Sequence, residues 1–183
     1  MSSTNDSGPF KLAILSTGGT IEKTYCSRDG SLLNQRSVLD LLLADLELPG
    51  LEIHRSSVSN MDSLDMTQSD HQGIVNAVCE VLVGSDGVVV VHGTDRLAIT
   101  GELLHEHMVA AGGWPIPVVL TGAMRPYELR ASDALQNMTE AILAVQLLAP
   151  GIFCVLHSKI LAFPGVVKDP ELETFKSAGS PAG

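Results

Sequence analysis

Four valines in a row, Val88 to Val91, stand between Gly87 and His92. An unbroken β-branched run has no polar face. It belongs in a strand covered on both sides, as in a parallel sheet with helices above and below. The surrounding pattern agrees. Strands are predicted at Lys11–Ser16, Leu51–Ser57, Gly87–His92, Pro117–Thr121 and Gly151–His157. Helices are predicted at Ser37–Leu46, Asp70–Val83, Arg96–Ala111 and Ser132–Leu148. On the second helix Ile74, Val75, Val78, Val81 and Leu82 share one face. Alternation of this kind implies βαβ units with right-handed crossovers. The expected fold is α/β, a doubly wound, mostly parallel sheet with helices on both faces, a Rossmann- or flavodoxin-like three-layer sandwich. One domain is expected over 11–177, between a flexible tail at 1–10 and a flexible end at 178–183.

In open parallel sheets ligands sit at the carboxyl ends of the strands. Three loops follow strands in this way: Thr17-Gly18-Gly19-Thr20, His92-Gly93-Thr94-Asp95 and Thr121-Gly122-Ala123-Met124-Arg125-Pro126. Paired glycines allow a sharp turn and close approach to a ligand, with the Thr20 hydroxyl in the crevice. The same loop also reads as an ordinary glycine turn. A carboxylate beside a hydroxyl at Thr94-Asp95 suits an ammonium group and an attacking oxygen. It equally suits a helix cap. His92 ends a buried strand and reads as structural before it reads as a general base. Arg125 reads as a brace on loop carbonyls before a carboxylate clamp. A fourth segment, Asp62-Ser63-Leu64-Asp65-Met66-Thr67, offers Ser63 and Asp65 to polar ligand groups and Thr67 as a helix cap. Together, hydroxyls and acids on several loops favour nucleophilic amide or ester chemistry.

Composition narrows the partners. The 183 residues carry a net charge of −10, which disfavours a phosphate backbone, so no nucleic acid is expected. Hydrophobic residues make up 45% and charged residues 17%, a globular balance. No apolar run is long enough for a bilayer, and residues 1–9 lack a leader pattern, so a cytoplasmic protein without membrane contact is expected. Cys26, Cys79 and Cys154 form no zinc pattern, and no metal or cofactor is expected. Cys79 and Cys154 sit in apolar runs and read as buried thiols.

Thr-Gly-Gly-Thr-Ile, then His-Gly-Thr-Asp, then Thr-Gly-Ala-Met-Arg-Pro, in this order and spacing, resemble the bacterial-type L-asparaginase family. The resemblance covers roughly residues 11–177 and corresponds to the N-terminal domain of the two-domain members. Tyr25, five residues after Thr20, and Leu64 resemble the short single-domain form. The resemblance implies hydrolysis of asparagine to aspartate and ammonia through an acyl-enzyme. It casts Thr20 as nucleophile, Tyr25 as its hydrogen-bonding partner, and Thr94 as the second threonine. Asp95 would hold the substrate ammonium and Ser63 the α-carboxylate, with Gly19, Leu64, Gly93 and Ala123 lining the site. Backbone N–H groups near Thr94 and Ala123 would form the oxyanion site. A homodimer or homotetramer is implied.

Three departures qualify these expectations. The resemblance places a lysine directly before the strand leading to Thr121, where this chain has Ile116, so the Thr94 relay is expected to lack its cation. Lys23 or Arg96 is the expected substitute. Arg96 also replaces a threonine after Asp95, and the acid contributed by a C-terminal domain in the two-domain members is expected to have no counterpart. The alternatives are an impaired protein that binds a small amino acid, a hydrolase of another small amide or ester, and a nucleotide-binding domain. The last lacks the fingerprint glycines.

Overall fold

The computed structural model describes residues 8–34 and 37–179. Most of both expected tails lies outside them. In chain order the strands and helices are β1 (Phe10–Gly18), β2 (Thr24–Tyr25), β3 (Leu32–Leu33), α1 (Leu39–Ala44), β4 (Leu51–Met61), α2 (Gln68–Val81), β5 (Gly87–Val91), α3 (Leu97–Ala110), β6 (Pro117–Thr121), α4 (Ala134–Leu147), β7 (Gly151–Leu156), β8 (Lys159–Ala162), β9 (Val166–Asp169) and β10 (Thr174–Ser177). Six strands form the main sheet in the order β4-β1-β5-β6-β7-β8. All neighbours are parallel except β7 and β8.

The valine run does what its composition requires. Val88 and Val90 point into one core with Ala13, Leu15, Val118 and Leu120, under Ile74, Val75 and Val78 of α2 and Leu97 and Leu104 of α3. Val89 and Val91 point into the other, with Leu12, Ile14 and Val119, under Leu39 and Leu42 of α1 and Met138, Ala141 and Val145 of α4. The period of two along each strand divides the apolar residues between two helical layers, and all four valines are fully buried.

The uniform crossover hand expected from the alternation breaks at α4. From β1 the chain passes to β4 on the α1 face. It returns across the sheet, β4 to β5 and β5 to β6, on the α2–α3 face. These three connections share one hand. The step from β6 to β7 runs in the same direction as β5 to β6 but on the opposite face, so its hand is reversed. The long segment 122–133 makes this possible by carrying the chain over the sheet end before α4 begins.

The direction of winding changes between β1 and β5. A crevice opens outside the carboxyl ends of strands at such a switch point. Beyond β7 the sequence pattern predicts no elements, yet β8 completes the sheet and β9 pairs antiparallel with β10. This hairpin is held on α3. The Phe163 ring lies against Gly101, where a methyl group would meet it at 2.0 Å. The Gly165 N–H donates to Glu102 Oε1 at 2.6 Å.

Cys154 is buried and its thiol is pushed up to about 12 by burial. Cys79 is exposed on α2, contrary to expectation, because it falls outside the Ile74–Val75–Val78 stripe. Among the described residues no helix is long and apolar enough to cross a membrane.

Candidate active site

Four loops meet over the β1–β5 switch point, and glycines let them touch. A methyl group on Gly19 would lie 2.4 Å from the Gly93 Cα, so the first and second loops are in backbone contact. One on Gly93 would lie 2.5 Å from Ser63 Oγ, which adds the segment after β4. One on Gly122 would lie 2.2 Å from the His92 carbonyl oxygen, which adds the loop after β6. The structure therefore brings Gly19, Thr20, Ser63, Gly93, Thr94 and Ala123 to one place. Gly19 also adopts φ 77° and ψ −173°, a region nearly closed to side-chain-bearing residues. Gly19→Ala is expected to cost at least about 1–3 kcal/mol from that conformation alone. Thermal unfolding should show a lowered Tm.

Thr20 opens a single turn of 3-10 helix, Thr20–Glu22. It is half-buried, and among the described residues its hydroxyl makes no hydrogen bond. The Gly19 N–H donates to the Met61 carbonyl at 2.9 Å, and Asn34 Nδ2 donates to the Gly19 carbonyl at 2.8 Å, fixing the peptide before Thr20. Tyr25 lies in β2, paired with Leu32 across the β2–β3 hairpin. Its side chain is exposed, and no hydrogen bond joins it to Thr20 among the described residues. Ser63 is 1% exposed and its hydroxyl has no partner among the described residues, an orphaned polar atom facing the Gly93 backbone. Burying such a group without a bond is costly, so Ser63 is suited to a polar ligand. Leu64 is exposed beside it, its N–H donating to Asp62 Oδ1 at 3.0 Å.

Thr94 and Asp95 do not cap α3. Arg96 occupies the cap position and makes no side-chain cap bond. Both side chains instead meet Lys168. Its Nζ donates to Thr94 Oγ1 at 2.9 Å and to Asp95 Oδ1 at 2.7 Å. Lys168 comes from β9, and the seat of the β9–β10 hairpin on α3 brings it to the start of that helix. Thr94 and Asp95, expected to lack a cationic partner, have one in Lys168. Ile116 is not the vacant position. It precedes β6 and packs in the apolar core at the amino end of the strand, on the order of 17 Å from the crevice end by strand rise. Neither expected substitute takes part. Lys23 pairs with Asp62 at 2.6 Å, and Arg96 Nη1 donates to the Met66 carbonyl at 2.5 Å. Sequence reasoning missed Lys168. Its available signal was the alternation Val166-Val167-Lys168-Asp169 and Thr174-Phe175-Lys176 around an Asp-Pro turn.

Below the loop after β6, Asp133 is the main brace. Its Oδ2 accepts from the Met124 N–H, Asn137 Nδ2 and His157 Nε2, and its Oδ1 from the Arg125 N–H. Burial pushes this carboxyl up, but the N–H groups of Met124 and Arg125 and the His157 ring outweigh it and leave it below its ordinary value. Asp133 holds the N-cap position of α4 without a side-chain cap bond, and the Ser132 hydroxyl before it accepts from the Ala134 N–H. Arg125 Nη1 donates to the Ala131 carbonyl, the loop-brace reading. Ala123 is buried in the α4-side core.

Glu22 is buried behind Thr20, with Oε1 unpartnered among the described residues. Burial raises its carboxyl above the ordinary value, against the opposing pull of Ser37, Arg55 and Ser16. A raised value means the folded state favours the protonated form. Stability is then full below the ordinary carboxyl value of 4.5 and falls as pH rises through the raised one. Glu22→Gln should match wild type in acid and exceed its Tm at mildly alkaline pH, as read by thermal unfolding.

The asparaginase N-terminal family model matches residues 11–182 of this chain. The chain belongs to the asparaginase family. The asparaginase-family domain is 35% identical over 153 residues to the L-asparaginase of Thermococcus kodakarensis, covering 83% of this chain and 45% of that protein. It is also 35% identical over 149 residues to a glutamyl-tRNA(Gln) amidotransferase subunit of Haloquadratum walsbyi, covering 80% and 33%. Among solved structures it is similar to the thermostable L-asparaginase from Thermococcus kodakarensis, with a TM-score of 0.81 and 33% identity over 94% of this chain and 52% of that one. The probable cytoplasmic L-asparaginase from Campylobacter jejuni follows at 0.75 and 28%, over 92% and 51%. The asparaginase-family domain thus spans between a third and about half of these relatives.

Proposed function

We propose that this domain hydrolyses the side-chain amide of L-asparagine through Thr20. The observation that carries the reading is the convergence of an unengaged Thr20 hydroxyl with the Lys168–Thr94–Asp95 group through the Gly19–Gly93 contact. Thr20 attacks the amide carbon, and its proton passes to the amide nitrogen, which leaves as ammonia. The tetrahedral oxyanion is met by the N–H groups of Thr94 and Ala123, and ammonia leaves an acyl-enzyme that water cleaves. Lys168 donates to a lone pair of Thr94, leaving the Thr94 proton free to point into the crevice. Asp95 receives the substrate ammonium and Ser63 its carboxylate. Tyr25 is the hydrogen-bonding partner of Thr20 in this reading. Assembly as a homodimer or homotetramer belongs to the same proposal, and light scattering tests it.

The relatives named as amidotransferase subunits favour a second reading, in which the chain forms part of an amidotransferase with a partner subunit. The reading as an impaired amino-acid binder loses its main support, because Ile116 lies outside the site. Ammonia release from L-asparagine and L-glutamine, beside calorimetry with both, separates these readings. Ammonia from asparagine supports the first. Preference for glutamine supports the second. Heat without ammonia contradicts both in favour of a binder.

A further inference from the structure

Beneath the second loop lies a polar chain that the proposed reaction does not use. His92, at the end of β5, is fully buried, and its Nδ1 lies 2.8 Å from the carbonyl oxygen of Gly93. Its Nε2 lies 2.8 Å from Thr100 Oγ1 on α3. Thr100 Oγ1 lies 2.7 Å from Nδ1 of His71 on α2. The His71 and His92 rings are stacked 6.1 Å apart and 7° from parallel. His71 Nε2 is buried with no partner among the described residues.

With both rings neutral, only one arrangement of protons satisfies this chain. A carbonyl can only accept, so His92 Nδ1 carries hydrogen. The neutral ring then has an acceptor at Nε2, and the Thr100 hydroxyl must donate to it. The Thr100 oxygen in turn accepts from His71 Nδ1–H, which leaves His71 Nε2 bare. Both rings are suited to the neutral form. Burial pushes His92 down to about 4 against the pull of the Gly93 carbonyl, and burial followed by Arg96 lowers His71.

We propose that Thr100, acting through His92, is a positioning residue that aims the Thr94 N–H into the crevice. The Gly93 carbonyl and the Thr94 N–H belong to one planar trans peptide and point in opposite directions. Fixing the carbonyl on His92 therefore fixes the N–H on the other side. That N–H is one of the two oxyanion donors proposed above, and its value depends on orientation before reaction begins. Thr100 selects the His92 tautomer, and His71 keeps Thr100 from turning its hydroxyl to a helix carbonyl four residues back. The kinetic part of this inference rests on the asparaginase reading, and the structural part does not.

The test compares wild type with Thr100→Val, which keeps the shape and removes both hydrogen bonds, and with Thr100→Ser, which keeps the hydroxyl. Nitrogen-15 NMR reads the His92 tautomer and the Gly93 and Thr94 amides, and steady-state kinetics with L-asparagine reads turnover. Thr100→Val should move the Thr94 amide resonance and end the single Nδ1–H tautomer of His92. It should lower kcat roughly 10- to 100-fold, the scale of a small misplacement, with KM little changed. Thr100→Ser should restore all of these. If Thr100→Val does not fold, His71→Leu, which removes the donor to Thr100, should move the same amide. Unmoved Thr94 and His92 signals in the folded variant overturn the proposal. A wild type that releases no ammonia contradicts the asparaginase reading instead, and the NMR result still decides the role of Thr100.

Discussion

Thr20→Ala is expected to lower ammonia release from L-asparagine by about 10^4-fold or more, while the protein stays folded. Both halves follow from the same geometry. The Thr20 hydroxyl makes no hydrogen bond among the described residues, so its loss should leave Tm almost unchanged. The peptide before it is held by Met61 and Asn34 rather than by its own side chain. In the proposed reaction, what the variant loses is the attacking oxygen. The remaining oxyanion donors and binding groups support only residual catalysis, as in hydrolases stripped of a nucleophile. Calorimetry with L-aspartate on the variant should show retained binding, since Ser63, Asp95 and Gly93 are untouched.

Lys168→Met is the second large effect, a loss on the order of 10^2- to 10^4-fold in turnover, the usual scale for removing one proton-handling group. Methionine keeps most of the apolar stem and removes the bonds to Thr94 at 2.9 Å and Asp95 at 2.7 Å. The ion pair with Asp95 is partly exposed, so the stability cost should be small. Lys168→Arg should rescue poorly, because a planar fork does not reproduce a point donor shared between a hydroxyl and a carboxylate. Ile116→Lys should give no gain in turnover, since it places its charge at the far end of β6. Measured kcat values for the three variants check these statements.

The layered fold was legible because burial on both faces leaves a direct trace in composition. Val88–Val91 required two apolar environments, and the structure supplies them on alternate sides. The three glycine loops were legible because a strand end followed by glycine marks a place where backbones approach. What the sequence obscured was arrangement in space. Lys168 lies 73 residues from Asp95 and 74 from Thr94, on a short hairpin whose position depends on Phe163 seating against Gly101. No local pattern reports that contact. The reversed crossover at α4 was equally hidden, because helix spacing gives a buried stripe but not the face of the sheet it covers. The cap-like look of Thr94-Asp95 was misleading for a related reason. A hydroxyl and a carboxylate before a helix usually serve its free N–H groups. Here a cation from a distant strand competes for them and wins. Asp133 follows the same course, holding the cap position of α4 but turning its carboxylate to the loop after β6, while the Ser132 hydroxyl accepts from the Ala134 N–H.

The central claim is that Thr20 and Lys168 act on one reaction, although they sit on different loops and are 148 positions apart in the chain. The most direct measurement is ammonia release from L-asparagine by wild type, Thr20→Ala, Lys168→Met and the double variant, each confirmed folded. Groups that act as a unit are strongly non-additive. Wild type should turn over, both single variants should be severely slowed, and the double variant should be no slower than Thr20→Ala alone. Losses that multiply in the double variant, or either single variant running at the wild-type rate, would contradict the account.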